Sequence, residues 1–209
     1  MAYGANTTIE RFLDATAAKQ PVPGGGSVAA LTGALSAAIG EMVVNYSLGK
    51  KDLAEYADEL RPALDELHRA RRLLLGLMVE DQEAYEALTA ARKLPRDSAE
   101  RQEQFPAALL GCIRAPQSTA AAAVAVLELC DRVVNFVNFY MLSDLAVCAD
   151  LAMATVRCAI YNVRVNLSSV TDAADRQKIE STVSQMLSRA AAVIQRVGPR
   201  IWERHGRGA

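Results

Sequence analysis

Apolar residues recur at intervals of three and four along almost the whole chain, and no stretch between turn signals alternates with a period of two. That pattern restricts the fold to helices packed on helices, because a half-buried strand needs alternation. Ile9, Phe12 and Leu13 carry helical spacing behind two N-cap candidates, Thr7 and Thr8. Pro21 and Pro23 should stop this first helix near Lys19. A second helix is expected from Ser27, as N-cap, to about Leu48, with Gly49 as its stop. A third should run from a cap at Asp52 to about Arg92, with a break or kink at Pro62. Ser98 opens a short helical segment interrupted by Pro106, and Pro116 suits the first turn of the next helix, ending near Phe136. Two more helices are expected, from about Met141 to Leu167 and from a cap at Thr171 or Asp172 to Gly198-Pro199. Residues 133–137 are the nearest thing to a strand, and they lie between helical neighbours. The expected architecture is an all-α bundle of long helices, one domain over residues 1–209.

Charge and cysteine usage narrow the function. With 23 basic against 24 acidic residues, the chain lacks the basic excess of a nucleic-acid or acidic-membrane binder. Its hydrophobic content of 51% excludes disorder. Cys112, Cys130, Cys148 and Cys158 form no CxxC pair and fall in apolar helical runs, so four buried, reduced thiols are expected. Only His68 and His205 are available beside them, and no metal site is expected. No secretory signal pattern opens the sequence. Residues 20–40 are uncharged, but prolines and glycines fill their first third, and Ser27 to Gly40 falls short of the roughly 20 apolar residues of a membrane span. These features point to a soluble, cytoplasmic protein that binds neither nucleic acid nor membrane.

Five segments carry potential chemistry. Gly24, Gly25 and Gly26 lead through Ser27 straight into a helix, so a ligand could approach the backbone beside a helix N-terminus suited to anions. The segment is neither a Walker loop nor a dinucleotide motif, and a tight turn between helices is the plainer reading. Lys50 and Lys51 follow Asn45 and a helix stop, either as a solvated basic turn or as a grip on an acidic ligand. Asp81, Tyr85 and Leu88 share a helix face. Ser143-Asp144 either caps a helix or sets a carboxylate in apolar surroundings, where its pKa would rise. Asn162 and Asn166 share a face at i, i+4, for bonds to a ligand or to another helix.

The order of these pieces is specific. Phe12-Leu13, then residues 21–30 (Pro-Val-Pro-Gly-Gly-Gly-Ser-Val-Ala-Ala), then Asn45 through Gly49-Lys50-Lys51, resemble the cyclodeaminase/cyclohydrolase family of tetrahydrofolate enzymes. Asp81 with Ala84-Tyr85, Leu94-Pro95, Asn138, Ser143-Asp144, Asn162-Val163 and residues 165–167 extend the resemblance over most of the chain. The chain has Val137 where the family usually has Gly, and Tyr140 where it usually has a second Asn. The resemblance implies an all-α dimer with folate bound near the subunit contact.

It also implies an enzyme that hydrolyses 5,10-methenyltetrahydrofolate to 10-formyltetrahydrofolate. The folate is the substrate, and no separate cofactor is expected. Asp144 is the carboxylate assigned as general base, with Asp81 as the second candidate. Lys50 or Lys51 would hold the glutamate tail. Asn138, Asn162 and Asn166 would read the pterin's amide edge, and Gly24 to Ser27 would let the ligand reach the backbone. Asn45 and Ser143 complete the expected binding residues. One alternative is a cyclodeaminase releasing ammonia from 5-formiminotetrahydrofolate; another is a folate-binding family member without activity. Asp144 and Asn162 stand 18 residues apart, roughly 27 Å along one straight helix, so a single pocket would need a bend or two subunits. Gly33, Ala37 and Gly40 make the second helix a candidate for that subunit contact, because small residues admit a close neighbour, with the Asp144 helix as the alternative.

Overall fold

A computed structural model describes residues 2–207. Six α-helices appear in chain order: α1 Ile9–Ala17, α2 Gly25–Asn45, α3 Ala57–Lys93, α4 Ala99–Val133, α5 Leu142–Leu167 and α6 Ala173–Arg207. Short 3₁₀ turns, Lys51–Tyr56 and Phe139–Met141, precede α3 and α5. No strand occurs among the described residues, and residues 133–137 form the end of α4 and the turn after it. The main core draws on α2 to α6, and Phe12 of α1 anchors a smaller cluster with Ala30, Ala34, Leu74 and Leu77.

Proline misleads the sequence reading at four positions. Pro62, Pro106, Pro116 and Pro199 all lie inside continuous helices. Pro62, Pro106 and Pro199 are exposed, so the backbone carbonyl each one frees four residues earlier belongs to the water-facing side of its helix. Pro116 is buried, and it frees the Cys112 carbonyl inside the protein. There the Asn166 side chain of α5 donates to that carbonyl at 3.3 Å, in place of the missing amide. One bond therefore keeps α4 intact and ties it to α5.

Several caps also differ from expectation. Thr8 caps α1 and Ser98 caps α4, each accepting a backbone amide three residues on. Asp172 accepts the amide of Asp175 at the start of α6. Gly24, not Ser27, is the N-cap of α2, and it has no side chain with which to cap. Asp144 lies within the first turn of α5 behind an N-cap at Met141, and Asp52 within the first 3₁₀ turn. Gly49 takes φ +82°, the left-handed conformation that stops the chain after α2.

Helices α2 and α5 run antiparallel. Gly25 lies by Asn162, Ser36 Oγ donates to the Cys148 carbonyl at 2.7 Å, and Ser47 meets Asn138. The small-residue stripe of α2 is used inside the chain, not kept for a partner. A Cβ on Gly33 would sit 3.0 Å from Leu74 and Thr155, a Cβ on Gly40 3.0 Å from Leu67, and Ala37 is fully buried. What α2 leaves exposed is larger: Val28, Leu35 and Met42, followed by Tyr46 at its C-cap. Its neighbour α5 exposes Val147, Tyr161 and Val165. Cys158 is also exposed, against expectation, while Cys112, Cys130 and Cys148 are buried.

The length argument against a membrane span does not hold. α2 is 21 residues long, and α2, α4 and residues 139–167 are each long and apolar enough to cross a membrane. About half of each apolar window is buried inside the bundle. Their apolarity therefore serves helix packing at least as much as the outer surface.

Candidate functional site

The expected site residues gather at the two ends of the antiparallel pair. At one end stand Gly24 to Ser27, Asp81, Asn162 and Asn166. At the other stand Asn45, Lys50, Lys51, Asn138, Ser143 and Asp144. α2 separates them by its 21 residues, about 30 Å. Within one chain they do not form one pocket.

The first end is built around a loop and a carboxylate. The Gln20 side chain donates to the carbonyls of Ala15 and Val22, at 3.0 and 2.8 Å, and holds the turn that enters α2 through a cis Val22–Pro23 peptide. Gly24 cannot cap the helix, and Asp81 of α3 does so from outside. Its Oδ2 accepts the Ser27 hydroxyl at 2.9 Å, and the carboxylate also accepts the Ser27 backbone amide. Its Oδ1 lies where a side chain on Gly26 would be: a Cβ there would stand only 2.0 Å away. Glycine is thus required at 26 by close approach, not by a special φ. Burial raises the Asp81 pKa above the ordinary carboxylate value, and the two Ser27 bonds offset only part of that rise.

The asparagines face the same end. Asn162 Oδ1 comes within 3.4 Å of the Gly25 Cβ position, while its amide donates back to the Cys158 carbonyl. Asn166 serves the fold, because its amide group donates to Cys112 and, at 3.0 Å, to the Asn162 carbonyl. Of the sequence's two alternatives for this pair, the interhelical bond therefore holds for Asn166. Cys112 lies close enough for Asp81 to influence it. Burial first, and then the Asp81 charge, push its thiol up to about 11, so it remains a neutral thiol at neutral pH.

At the second end, the loop before α5 is fastened to the end of α2. The Asn138 amide donates to Ser47 Oγ at 2.8 Å, and its side chain donates to the Tyr46 carbonyl at 3.2 Å. Asn138 Oδ1 accepts from Tyr140, so it caps the 3₁₀ turn. Lys50 Nζ stands 5.6 Å from the Tyr140 ring centroid. Asn45, Lys51 and Ser143 are exposed, and Asp144 is half-buried one turn into α5. Ser47 and Pro116 were not among the expected residues. Ser47 lies within the Asn45–Lys51 segment, and a mid-helix proline implies an orphaned carbonyl four residues earlier; both signals were present in the sequence.

An electron-poor, cationic ligand carbon at the first end would meet a poorly solvated carboxylate, backbone exposed by glycine and an amide oxygen. At the second end an anionic group would meet lysines beside an aromatic ring. The chain is similar to known proteins along nearly its whole length. A family model described as formiminotransferase-cyclodeaminase matches residues 8–185. The methenyltetrahydrofolate cyclohydrolase of Methylorubrum extorquens is 33% identical over 196 residues, 92% of this chain and 94% of that protein. The formimidoyltransferase-cyclodeaminase of Sus scrofa is 30% identical over 200 residues, 92% of this chain but 37% of that longer protein. A crystal structure of formiminotetrahydrofolate cyclodeaminase from Thermotoga maritima superposes with a TM-score of 0.88 at 25% identity, covering 95% of this chain and 97% of that one.

Proposed function

Because the chain belongs to the formiminotransferase-cyclodeaminase family of enzymes, we propose that it hydrolyses 5,10-methenyltetrahydrofolate to 10-formyltetrahydrofolate. The observation that carries this reading is the Asp81 carboxylate. It is drawn out of water against Gly26 and Ser27, in a chain similar to a cyclohydrolase along nearly the full length of both.

The substrate's reacting carbon is part of a cationic amidinium and is already electrophilic. Water attacks it and gives a proton to Asp81, which a raised pKa makes a better base near neutral pH. In the tetrahedral adduct, the bond from the carbon to N5 breaks. Asp81 returns its proton to N5 as the adduct's hydroxyl becomes the formyl carbonyl and releases a proton to solvent. This chemistry favours Asp81 over Asp144 as the proton-transfer group. Asp144 instead offers negative charge toward the cation.

The separation of the two ends leads to the second element of the proposal. Two copies pair through the exposed apolar residues of α2 and α5 about a two-fold axis across the middle of α2. Such an isologous contact lays the Gly24 end of one helix beside the Lys50 end of the other. Each site then combines Gly24–Ser27, Asp81 and Asn162 with Lys50, Asn138 and Asp144 of the partner subunit.

The structural similarity to a formiminotetrahydrofolate cyclodeaminase supports a second reading, ammonia release from 5-formiminotetrahydrofolate by the same acid–base group. Turnover of the two folates side by side, followed by absorbance and by ammonia release, separates these readings. Hydrolysis of the methenyl compound well above its spontaneous rate supports the cyclohydrolase. Turnover of the formimino compound alone would replace it with the cyclodeaminase. Tight folate binding with neither reaction would leave a folate-binding protein.

A further inference from the structure

The segment before α1 lies against α3 beside Asp81. Gln82, the next residue along α3, is buried and pairs with the backbone of Tyr3 in both directions. Its Oε1 accepts the Tyr3 amide at 2.8 Å, and its Nε2 donates to the Tyr3 carbonyl at 2.9 Å and to the Met78 carbonyl at 2.8 Å. Both hydrogens of the side-chain amide are thereby used, and lifting Tyr3 away would leave buried polar atoms unpaired. Gly4 continues along the same helix, where a Cβ would stand 3.4 Å from Val79. Tyr3 also packs on the smaller apolar cluster that holds Phe12, Ala30 and Leu77. Its hydroxyl reaches the other part of the site, accepting from Gln20 Nε2 at 3.3 Å. Gln20 is the side chain that holds the Ala15 and Val22 carbonyls and so fixes the turn into Gly24.

We propose that Tyr3 and Gln82 form a clasp that sets the Gly24–Ser27 loop against Asp81, which makes both of them positioning residues for proton transfer. The inference rests on the role given to Asp81 above and deepens it. One continuous path of bonds runs from α3 through Gln82, Tyr3 and Gln20 to Val22, two residues before Gly24. The Ser27 bonds to Asp81 join the same two elements, so the clasp and these bonds support each other. The fit leaves no slack. Asp81 Oδ1 occupies the space that a Cβ on Gly26 would need, so a small displacement of the loop changes the hydrogen bonds of the carboxylate. The groups that bear on the Asp81 charge are Ser27 of α2, through two hydrogen bonds, and the Cys112 thiol of α4, which burial keeps neutral and which Arg92 of α3 also influences. A looser loop weakens the Ser27 bonds, and the Asp81 carboxyl should then titrate higher.

The test is a carboxyl-carbon NMR titration of the intact protein, with the Asp81 signal identified by its loss in Asp81→Asn. Gln82→Met opens the clasp, and Tyr3→Ala removes the hydroxyl and the ring while leaving α3 unchanged. In both variants Asp81 should titrate about one pH unit higher, the effect of losing one hydrogen bond to a charged group. In parallel, kcat for methenyltetrahydrofolate should fall roughly tenfold while KM moves less than about twofold, because a displaced proton-transfer group acts on the chemical step. A segment that served stability alone would lower the melting temperature and leave the Asp81 titration and kcat at their wild-type values, and that result would overturn the proposal. If Gln82→Met fails to fold, Tyr3→Ala decides by the same two readings. A higher Asp81 titration in the variants, with full turnover in Asp81→Asn, would keep the clasp and defeat the general-base reading.

Discussion

Replacing Gly26 by alanine adds one methyl group and separates activity from stability. Its Cβ would stand 2.0 Å from Asp81 Oδ1, 2.5 Å from Cγ and 2.7 Å from Oδ2. Ordinary contact for a Cβ begins at 3.4 Å, so the carboxylate must withdraw by the difference, about 1.4 Å. That displacement also breaks the 2.9 Å bond from Ser27, a net loss of roughly 1 kcal/mol. Alanine in a helix offsets it by about 0.5–1 kcal/mol over glycine, and the group that yields is the end of a side chain, not backbone. The melting temperature should therefore move by only a few degrees. Catalysis has no such compensation, because a misplacement of about 1 Å costs roughly 10²-fold. The assay is methenyltetrahydrofolate hydrolysis beside thermal unfolding of the same preparation. A Gly26→Ala enzyme with near-normal kcat would refute the role given to Asp81. A variant that fails to fold would refute the stability balance, in which only the Asp81 side chain yields.

Further perturbations test the parts separately. Asp81→Asn should lower turnover by about 10²–10⁴-fold. Because burial raises the Asp81 pKa, its stabilising contribution is complete below the unfolded carboxylate value and disappears as pH rises through the folded one. Asp81→Asn should therefore melt higher than wild type at neutral pH and no higher in acid, as read by melting curves across pH. Asn166→Leu leaves the Cys112 carbonyl without a donor, a cost of about 1–3 kcal/mol, and Pro116→Ala should recover part of it in a double-mutant cycle by restoring the missing amide. Leu35→Glu puts a charge on the exposed face of α2 and should give a folded, inactive monomer by light scattering.

The sequence was most readable where local chemistry decides the outcome. Helical periodicity, the caps at Thr8, Ser98 and Asp172, and the stop at Gly49 all follow from residues within one turn. Proline misleads because a helix tolerates one when the freed carbonyl finds water or a distant donor. The donor for Pro116 comes from Asn166, 54 residues after Cys112. The α2 cap is hidden from the sequence for the same reason, since its acceptor, Asp81, lies 54 residues from Ser27. Gly24 to Ser27, Asp81 and Asn162 are each visible as candidates, but the burial that raises the Asp81 pKa is not, because spacing along a helix does not encode it. The small residues of α2 were equally visible, yet only packing tells whether a narrow helix admits a neighbour from its own chain or from a second one.

The composite site is tested most directly by mixing two inactive proteins. Asp81→Asn and Asp144→Asn are unfolded together, refolded as a mixture and assayed for methenyltetrahydrofolate hydrolysis. In each mixed dimer one site receives both substitutions and the other receives neither. Random pairing makes about half of the dimers mixed, so activity should return to about a quarter of the wild-type value. A mixture no more active than its two components would contradict a site shared between subunits.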